Sequence, residues 1–192
     1  TETIRRLILE ASSFGGLVVM DEAYQPFSSR SWLDEIRAHP SANANVLLMR
    51  TLSKFGLAGV RLGYLLGPQA LVQEIDKLRP PYNVSVLNAE CALFSLEHAE
   101  VFAGQAAQIC EQRTVLIDAL RQIPGFQPFP SDANMVLVRV PDAQRCFDSL
   151  KAQGILVKNV SKMHPLLTNC LRLTVGTPSE NASLIRALQT IP

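Results

Sequence analysis

The stretch Thr51-Leu52-Ser53-Lys54-Phe55-Gly56-Leu57-Ala58-Gly59-Val60-Arg61-Leu62-Gly63-Tyr64 sets a lysine and an arginine seven residues apart among hydroxyls, glycines and apolar side chains. Neither an amphipathic helix nor a half-buried strand accommodates that mixture. It suits a turn that presents one cationic amine and a phosphate-sized cluster of donors to a small ligand. A planar guanidinium meets a phosphate bidentately, and hydroxyls add short charge-assisted bonds. Upstream, Val18-Val19-Met20-Asp21-Glu22-Ala23-Tyr24 ends an apolar run in a carboxylate, with a phenol three residues later.

These two segments, together with Cys170-Leu171-Arg172-Leu173-Thr174-Val175-Gly176-Thr177 near the end, resemble the fold-type-I pyridoxal-phosphate aminotransferases. Within that superfamily they are most similar to the histidinol-phosphate aminotransferases. The resemblance covers essentially the whole chain. It implies that Lys54 is the Schiff-base amine, later free to shuttle a proton at the substrate's α-carbon; a lysine suits this because its pKa falls readily when it is partly desolvated near other cations. It further implies that Asp21 keeps the pyridine nitrogen protonated, that Tyr24 donates to the cofactor's phenolate oxygen, and that Arg61, Ser53 and Thr51 hold its phosphate. No metal is implied. Glu22 points away from Asp21 in an extended backbone and is assigned no chemistry.

Arg172 lies between Leu171 and Leu173 in an otherwise apolar strand, where an arginine needs an anionic partner. The resemblance makes it the grip on the substrate's anionic group. Lys158 matches a second basic position that usually carries arginine in this branch, which weakens bidentate phosphate recognition. Tyr82, in Pro80-Pro81-Tyr82-Asn83, matches a position near the substrate pocket. Taken residue by residue, the alternatives are structural: a helix-capping Asp21, a Tyr24 covering the core edge, ion pairs for Arg61 and Arg172, a solvated Lys158.

A length of 192 residues with 47% hydrophobic content allows one large domain, or one and a half smaller ones, with a real core. A net charge of +1 offers no electrostatic case for nucleic acid or a membrane surface. No apolar run approaches the roughly 20 residues that span a bilayer, and no signal peptide is visible. Cys91, Cys110, Cys146 and Cys170 form no CxxC or zinc pattern and read as reduced thiols of a cytosolic protein.

Several elements must position the chemistry. Ile4, Leu7, Ile8 and Ala11 recur at helical spacing, and Gly15-Gly16 breaks that helix. Leu17 to Met20, Val46 to Met49 and Leu62 to Leu66 are short apolar runs, as in strands of a mostly parallel sheet buried on both faces. In such α/β sheets ligands sit beyond the carboxyl ends of strands, which is where Asp21 and the Thr51–Lys54 turn fall. Residues 40–45 read as a surface loop, and Leu71, Ile75 and Leu78 as a helix stopped by Pro80-Pro81. A long helix is expected over roughly 86–121, with Gly104 as its weak point and Pro124-Gly125 beyond its end. Strands follow at 135–140, 155–157 and 171–175, a helix at 143–153, and a last helix opened by the capping box Thr177-Pro178-Ser179-Glu180.

The organisation expected is α/β: residues 1–85 as part of the cofactor-binding large domain, 86–121 as a connecting helix, and 122–192 as a small α/β domain. The chain opens on a helix, without the strand that a βαβ unit places before it and without an initiator Met. It therefore reads as the C-terminal portion of a longer protein. The resemblance implies that the loop cupping the cofactor phosphate, the aromatic stacking on the pyridine and the asparagine at its O3′ lie outside it.

The expected function is pyridoxal-phosphate-dependent transamination of L-histidinol phosphate with 2-oxoglutarate, giving glutamate, by a cytoplasmic homodimer. The enzymatic alternatives are an aromatic-amino-acid aminotransferase and a threonine-phosphate decarboxylase. An inactive truncated form of such an enzyme and a non-catalytic effector domain of a transcription regulator complete the set, although no DNA-binding module or basic stripe is present.

Overall fold

The computed structural model describes residues 2–191. The chain forms two compact units, one through Ala103 and the other from Gly104 onward. Both are α/β, as expected.

In the first unit, helix α1 (Glu2–Ser13) leads into strand β1 (Val18–Asp21). Helix α2 (Leu33–Ala38) follows, and β2 (Val46–Thr51) lies beside β1 in parallel register, Val18 opposite Val46 and Asp21 opposite Met49. Strand β3 (Gly63–Leu66) pairs with the other side of β2 but antiparallel, Leu48 opposite Leu66 and Thr51 opposite Gly63. The three-stranded sheet is thus mixed where a mostly parallel one was expected. The reason is the connection: residues 52–62 hold only two 3₁₀ turns, and a parallel return requires a longer crossover, usually helical.

One face of this sheet is covered. Val18, Met20, Val46, Leu48 and Leu66 pack with Ile4 and Ile8 of α1 and with Trp32, Leu33 and Ile36 around α2. On the other face Leu47 is buried but Val19 and Met49 are 52% and 42% exposed, so that side is covered only in part, where the apolar runs suggested burial throughout. Asp21 and Thr51 belong to that second face by alternation.

Helix α3 (Gln69–Asp76) is followed by α4 (Val86–Glu97), whose first turn is capped by the Ser85 hydroxyl accepting from the Asn88 N–H at 3.2 Å. Helix α5 (Ala99–Arg121) then begins at once. The expected single helix over 86–121 is two, broken at His98 and not at Gly104. His98 leaves helical geometry at φ −113° and its ring bonds the Phe94 carbonyl at 2.8 Å. No glycine or proline marks that break in the sequence.

In the second unit, β4 (Gln127–Pro128), β5 (Met135–Arg139), β6 (Lys158–Asn159) and β7 (Cys170–Thr174) form an antiparallel sheet in the order β4-β5-β7-β6. Helices α6 (Ala143–Ala152) and α7 (Pro178–Gln189), with the C-terminal part of α5, cover one face. Val136, Val138, Leu171 and Leu173 point into this core against Leu116, Leu120, Leu150 and Leu188. Each such buried side chain contributes about 1.5–3 kcal/mol by leaving water. Strand β6 falls at Lys158–Asn159, one step beyond the apolar run 155–157, because pairing with β7 selects the residues opposite Arg172 and Leu171. Of the cysteines, Cys146 and Cys170 are buried and Cys91 is exposed.

The capping box forms as read. The Thr177 hydroxyl receives the Glu180 N–H at 3.4 Å, and the Glu180 carboxylate receives the Thr177 N–H at 2.8 Å, with Pro178 in the first turn. Hydrogen bonds from the Thr177 backbone N–H and hydroxyl hold the Glu180 carboxyl below its usual pKa. A depressed folded-state pKa gives stability that is present above the unfolded carboxylate value, about 4.3, and lost as pH falls through the folded value. An NMR titration should therefore place Glu180 below the ordinary glutamate value, and Glu180→Gln should flatten the acid limb of the stability profile between roughly pH 5 and the folded value.

Candidate active site

The Lys54 turn is built from the carboxyl end of β2. Thr51 is its cap: the hydroxyl accepts from the Ser53 N–H at 3.0 Å and donates to the Leu62 carbonyl at 3.3 Å. Leu52 is buried, donates its N–H to the same Leu62 carbonyl, and accepts from the N–H groups of Phe55 and Leu57. A 3₁₀ turn over Leu52–Lys54 results, and the Phe55 ring stacks on Phe102 at 4.9 Å. A second 3₁₀ turn, Ala58–Val60, brings the chain back to β3.

Two backbone details fix this return. Arg61 adopts the left-handed conformation, φ 56° and ψ 34°, at a cost of roughly 1–2 kcal/mol for a residue with a Cβ. Such strain concentrates at functional sites. The Arg61 side chain is exposed, and among the described residues its guanidinium bonds the Ala58 carbonyl at 3.5 Å and makes no ion pair. Gly63 lies so close to β2 that a Cβ would sit 2.9 Å from the Arg50 carbonyl oxygen.

The second segment ends at Asp21, exposed at the last position of β1, where its carboxylate accepts from the Ala23 N–H at 3.0 Å. The chain turns there and enters a 3₁₀ turn, Gln25–Phe27, immediately after Tyr24. This brings Tyr24 to Lys54: the Lys54 Nζ stands 5.0 Å from the centre of the Tyr24 ring. Among the described residues no carboxylate pairs with the Lys54 amine. Lys54, Tyr24, Ser53 and Thr51 are all half-buried.

Tyr82 is not drawn into this group. It follows α3 in a left-handed conformation, φ 59°, and is 99% exposed. In the second unit Arg172 and Lys158 are direct partners across the β7–β6 ladder. Both are exposed, on the sheet face opposite the core, and neither makes an ion pair among the described residues. Arg172 therefore meets no structural anion; it reaches into solvent beside a second cation.

One feature of the site lay outside the sequence reading. The Glu22 carboxylate, side chain 12% exposed, receives Nε and Nη2 of Arg50 at 3.0 and 2.8 Å, the Ser31 hydroxyl at 3.0 Å and the Trp32 N–H at 2.6 Å. Burial works against the Arg50 charge, but the hydrogen bond and charge of Glu22, together with the Tyr64 hydroxyl, hold its pKa above the usual arginine value. The signal was a lone arginine in the apolar strand Val46-Leu47-Leu48-Met49-Arg50, for which the same need of an anion holds that was argued for Arg172.

A family model of class I and II aminotransferases matches residues 1–188 of the sequence. The chain belongs to the class I and II aminotransferases. It is 66% identical over 187 residues, 97% of its length, to the histidinol-phosphate aminotransferase of Paracidovorax citrulli, of which it covers 50%. Among solved structures it resembles the histidinol-phosphate aminotransferase of Sinorhizobium meliloti in complex with pyridoxal-5′-phosphate, with a TM-score of 0.78 at 28% identity, covering 97% of this chain and 52% of that one. The histidinol-phosphate aminotransferase of Clostridium acetobutylicum shares the fold, with a TM-score of 0.85 at 22% identity over 98% of this chain and 58% of that one. This aminotransferase chain spans about half the length of the curated relatives it matches.

Replacing Gly63 tests the close approach that shapes the turn. Backbone, not a flexible side chain, blocks the added methyl group, so Gly63→Ala should lower stability by about 1–3 kcal/mol. Urea denaturation reads the loss directly.

Proposed function

We propose that this chain carries the catalytic lysine of a pyridoxal-phosphate-dependent aminotransferase that moves the amino group of L-histidinol phosphate to 2-oxoglutarate, giving glutamate, in histidine biosynthesis. The observation that carries this reading is the 66% identity to a histidinol-phosphate aminotransferase across 97% of the chain. The local geometry supports it, with the Lys54 amine beside the Tyr24 ring at the carboxyl ends of β1 and β2.

The donor set fits the cofactor. An amine that no carboxylate pairs with among the described residues, an exposed carboxylate, a phenol, a hydroxyl turn and an exposed guanidinium beside a backbone carbonyl are the complement of a pyridine ring bearing an aldehyde and a phosphate. Pyridoxal phosphate, when bound, supplies an electron sink for the substrate's α-carbon. Lys54 would hold it covalently and would then move a proton at that carbon. The Asp21 carboxylate would pair with the ring nitrogen and keep its proton in place. Tyr24 would donate its hydroxyl hydrogen to the phenolate oxygen. Ser53 and Arg61 hold the phosphate; Thr51, whose hydroxyl is engaged within the turn, aims the Ser53 N–H and side chain.

Histidinol phosphate carries a phosphoester arm where an amino acid carries its carboxylate. Arg172 takes the substrate's anionic group, and Lys158, its neighbour across the ladder, adds a second cation for a dianion. Tyr82 is the further contact to the substrate. We place the enzyme in the cytoplasm as a homodimer. None of its described helices is long and apolar enough to cross a membrane, and α4 exposes Val86, Leu87 and Phe94 for burial against a second copy.

Borohydride reduction of the cofactor-loaded protein followed by peptide mapping should leave the pyridoxyl group on Lys54; label on any other lysine would end this assignment. Single-turnover rates test the substrate. Lys158→Ala should slow the histidinol-phosphate half-reaction roughly tenfold or more, the worth of a charged hydrogen bond, and leave the glutamate half-reaction nearly intact. Arg172→Ala should damage both. Equal losses in both half-reactions for Lys158→Ala would remove it from phosphate recognition.

A further inference from the structure

The two segments of the site meet through a buried polar junction that lies on the other side of the sheet ends from the amine. Glu22 follows Asp21 directly, and Arg50 precedes Thr51 directly. The Glu22 N–H donates to the Met49 carbonyl at 2.9 Å, extending the β1–β2 ladder one residue past Asp21. Its carboxylate then takes both Nε and Nη2 of Arg50, the Ser31 hydroxyl and the Trp32 N–H, and Arg50 Nη2 also donates to the Ser31 hydroxyl at 2.8 Å. Trp32 is itself anchored: its indole N–H donates to the Asn43 amide oxygen at 2.8 Å, and the Asn43 amide nitrogen donates to the His39 carbonyl at 2.8 Å. Oε2 takes both Arg50 nitrogens and Oε1 takes the Trp32 N–H, so both carboxylate oxygens are held.

Two charges with side chains 12% and 15% exposed are a poor way to gain stability. Desolvation offsets most of their attraction, and apolar pairs of similar volume are often as stable or more so. What such a pair offers instead is geometry: Nε and Nη2 of the planar guanidinium both close on Glu22 Oε2 while Oε1 takes the Trp32 N–H, which fixes the carboxylate relative to Arg50. The two backbones it joins are those that carry Asp21 and Tyr24 on one side and Thr51 to Lys54 on the other.

We propose that Glu22 and Arg50 are positioning residues of the active site: their ion pair sets the spacing of the β1 and β2 carboxyl ends and thereby holds the Lys54 amine against Tyr24 and in register with Asp21. The role in catalysis rests on the assignment of Lys54 as the cofactor lysine; the effect on the Lys54 amine does not.

The test uses Glu22→Leu/Arg50→Met, which removes both charges and keeps an apolar filling, beside Glu22→Gln and Arg50→Lys. The first readout needs no cofactor. Trace acetylation across a pH series, followed by peptide mapping, gives the reactivity of Lys54 relative to the exposed Lys151 of the second unit. Contact with the Tyr24 ring holds the half-buried Lys54 amine in the native geometry, so the double variant should free it and raise relative Lys54 labelling about two- to fivefold at neutral pH while melting within a few degrees of the parent. Arg50→Lys, which keeps the charge and loses the fork, should fall between. The second readout is the pH midpoint of the visible absorption of bound pyridoxal phosphate, which should move in the same order across the variants. A double variant with unchanged Lys54 reactivity overturns the proposal. If it does not fold, Glu22→Gln carries the same comparison, and unchanged Lys54 labelling there overturns it equally. Should borohydride mapping put the cofactor on another lysine, the catalytic assignment fails while the acetylation series still decides the positioning role.

Discussion

The first unit depends on the register of β2 between its two neighbours. Val46, Leu47 and Leu48 are buried almost completely, and the strand is hydrogen-bonded on both sides, parallel to β1 and antiparallel to β3. A one-residue slip would turn Leu48 out of the core and Met49 into it, so the apolar pattern permits one pairing. That pairing puts Met49 opposite Asp21 and Thr51 opposite Gly63. Everything chemically distinctive in this unit sits within a few residues of those two pairs.

The antiparallel return of β3 has a consequence for the site. Because β3 comes back along β2, the connection must close on itself at the strand end. It does so with Thr51 and Leu62 hydrogen-bonded across its neck and with two 3₁₀ turns between. The loop is therefore a closed projection and not a crossover, with Lys54 at its first turn and the strained Arg61 at its last. On the opposite side of the strand ends, the Glu22–Arg50 pair and its Ser31 and Trp32 donors close the junction between β1 and β2. Polar groups thus bracket the site from both sides, while the apolar layer of α1 and α2 fixes the sheet below.

The second unit treats its charges differently. Its core uses one face of an antiparallel sheet, so alternation along β7 buries Leu171 and Leu173 and turns Arg172 outward. Pairing with β6 then sets Lys158 beside it. Two cations directly opposite on a sheet repel each other. Neither has a carboxylate neighbour among the described residues, so the arrangement is one that an anion would relieve.

The sequence by itself determined the α/β class, the helix and strand at most positions, the capping box at Thr177 and the identity of the residues around Lys54. These are properties of short windows: periodicity, an apolar run, a cap, a motif. Tertiary structure decided what no window contains. It made the sheet of the first unit mixed, because the length and turn content of residues 52–62 exclude a crossover. It moved β6 to Lys158–Asn159, because strand limits follow the partner strand. It split the helix at His98, where the local sequence carries no breaker. It gave Glu22 a role, since a carboxylate becomes structural only when Arg50, Ser31 and Trp32, up to 28 residues away, converge on it. Local chemistry can name the groups of a site; only the pairing of distant strands determines which of them meet.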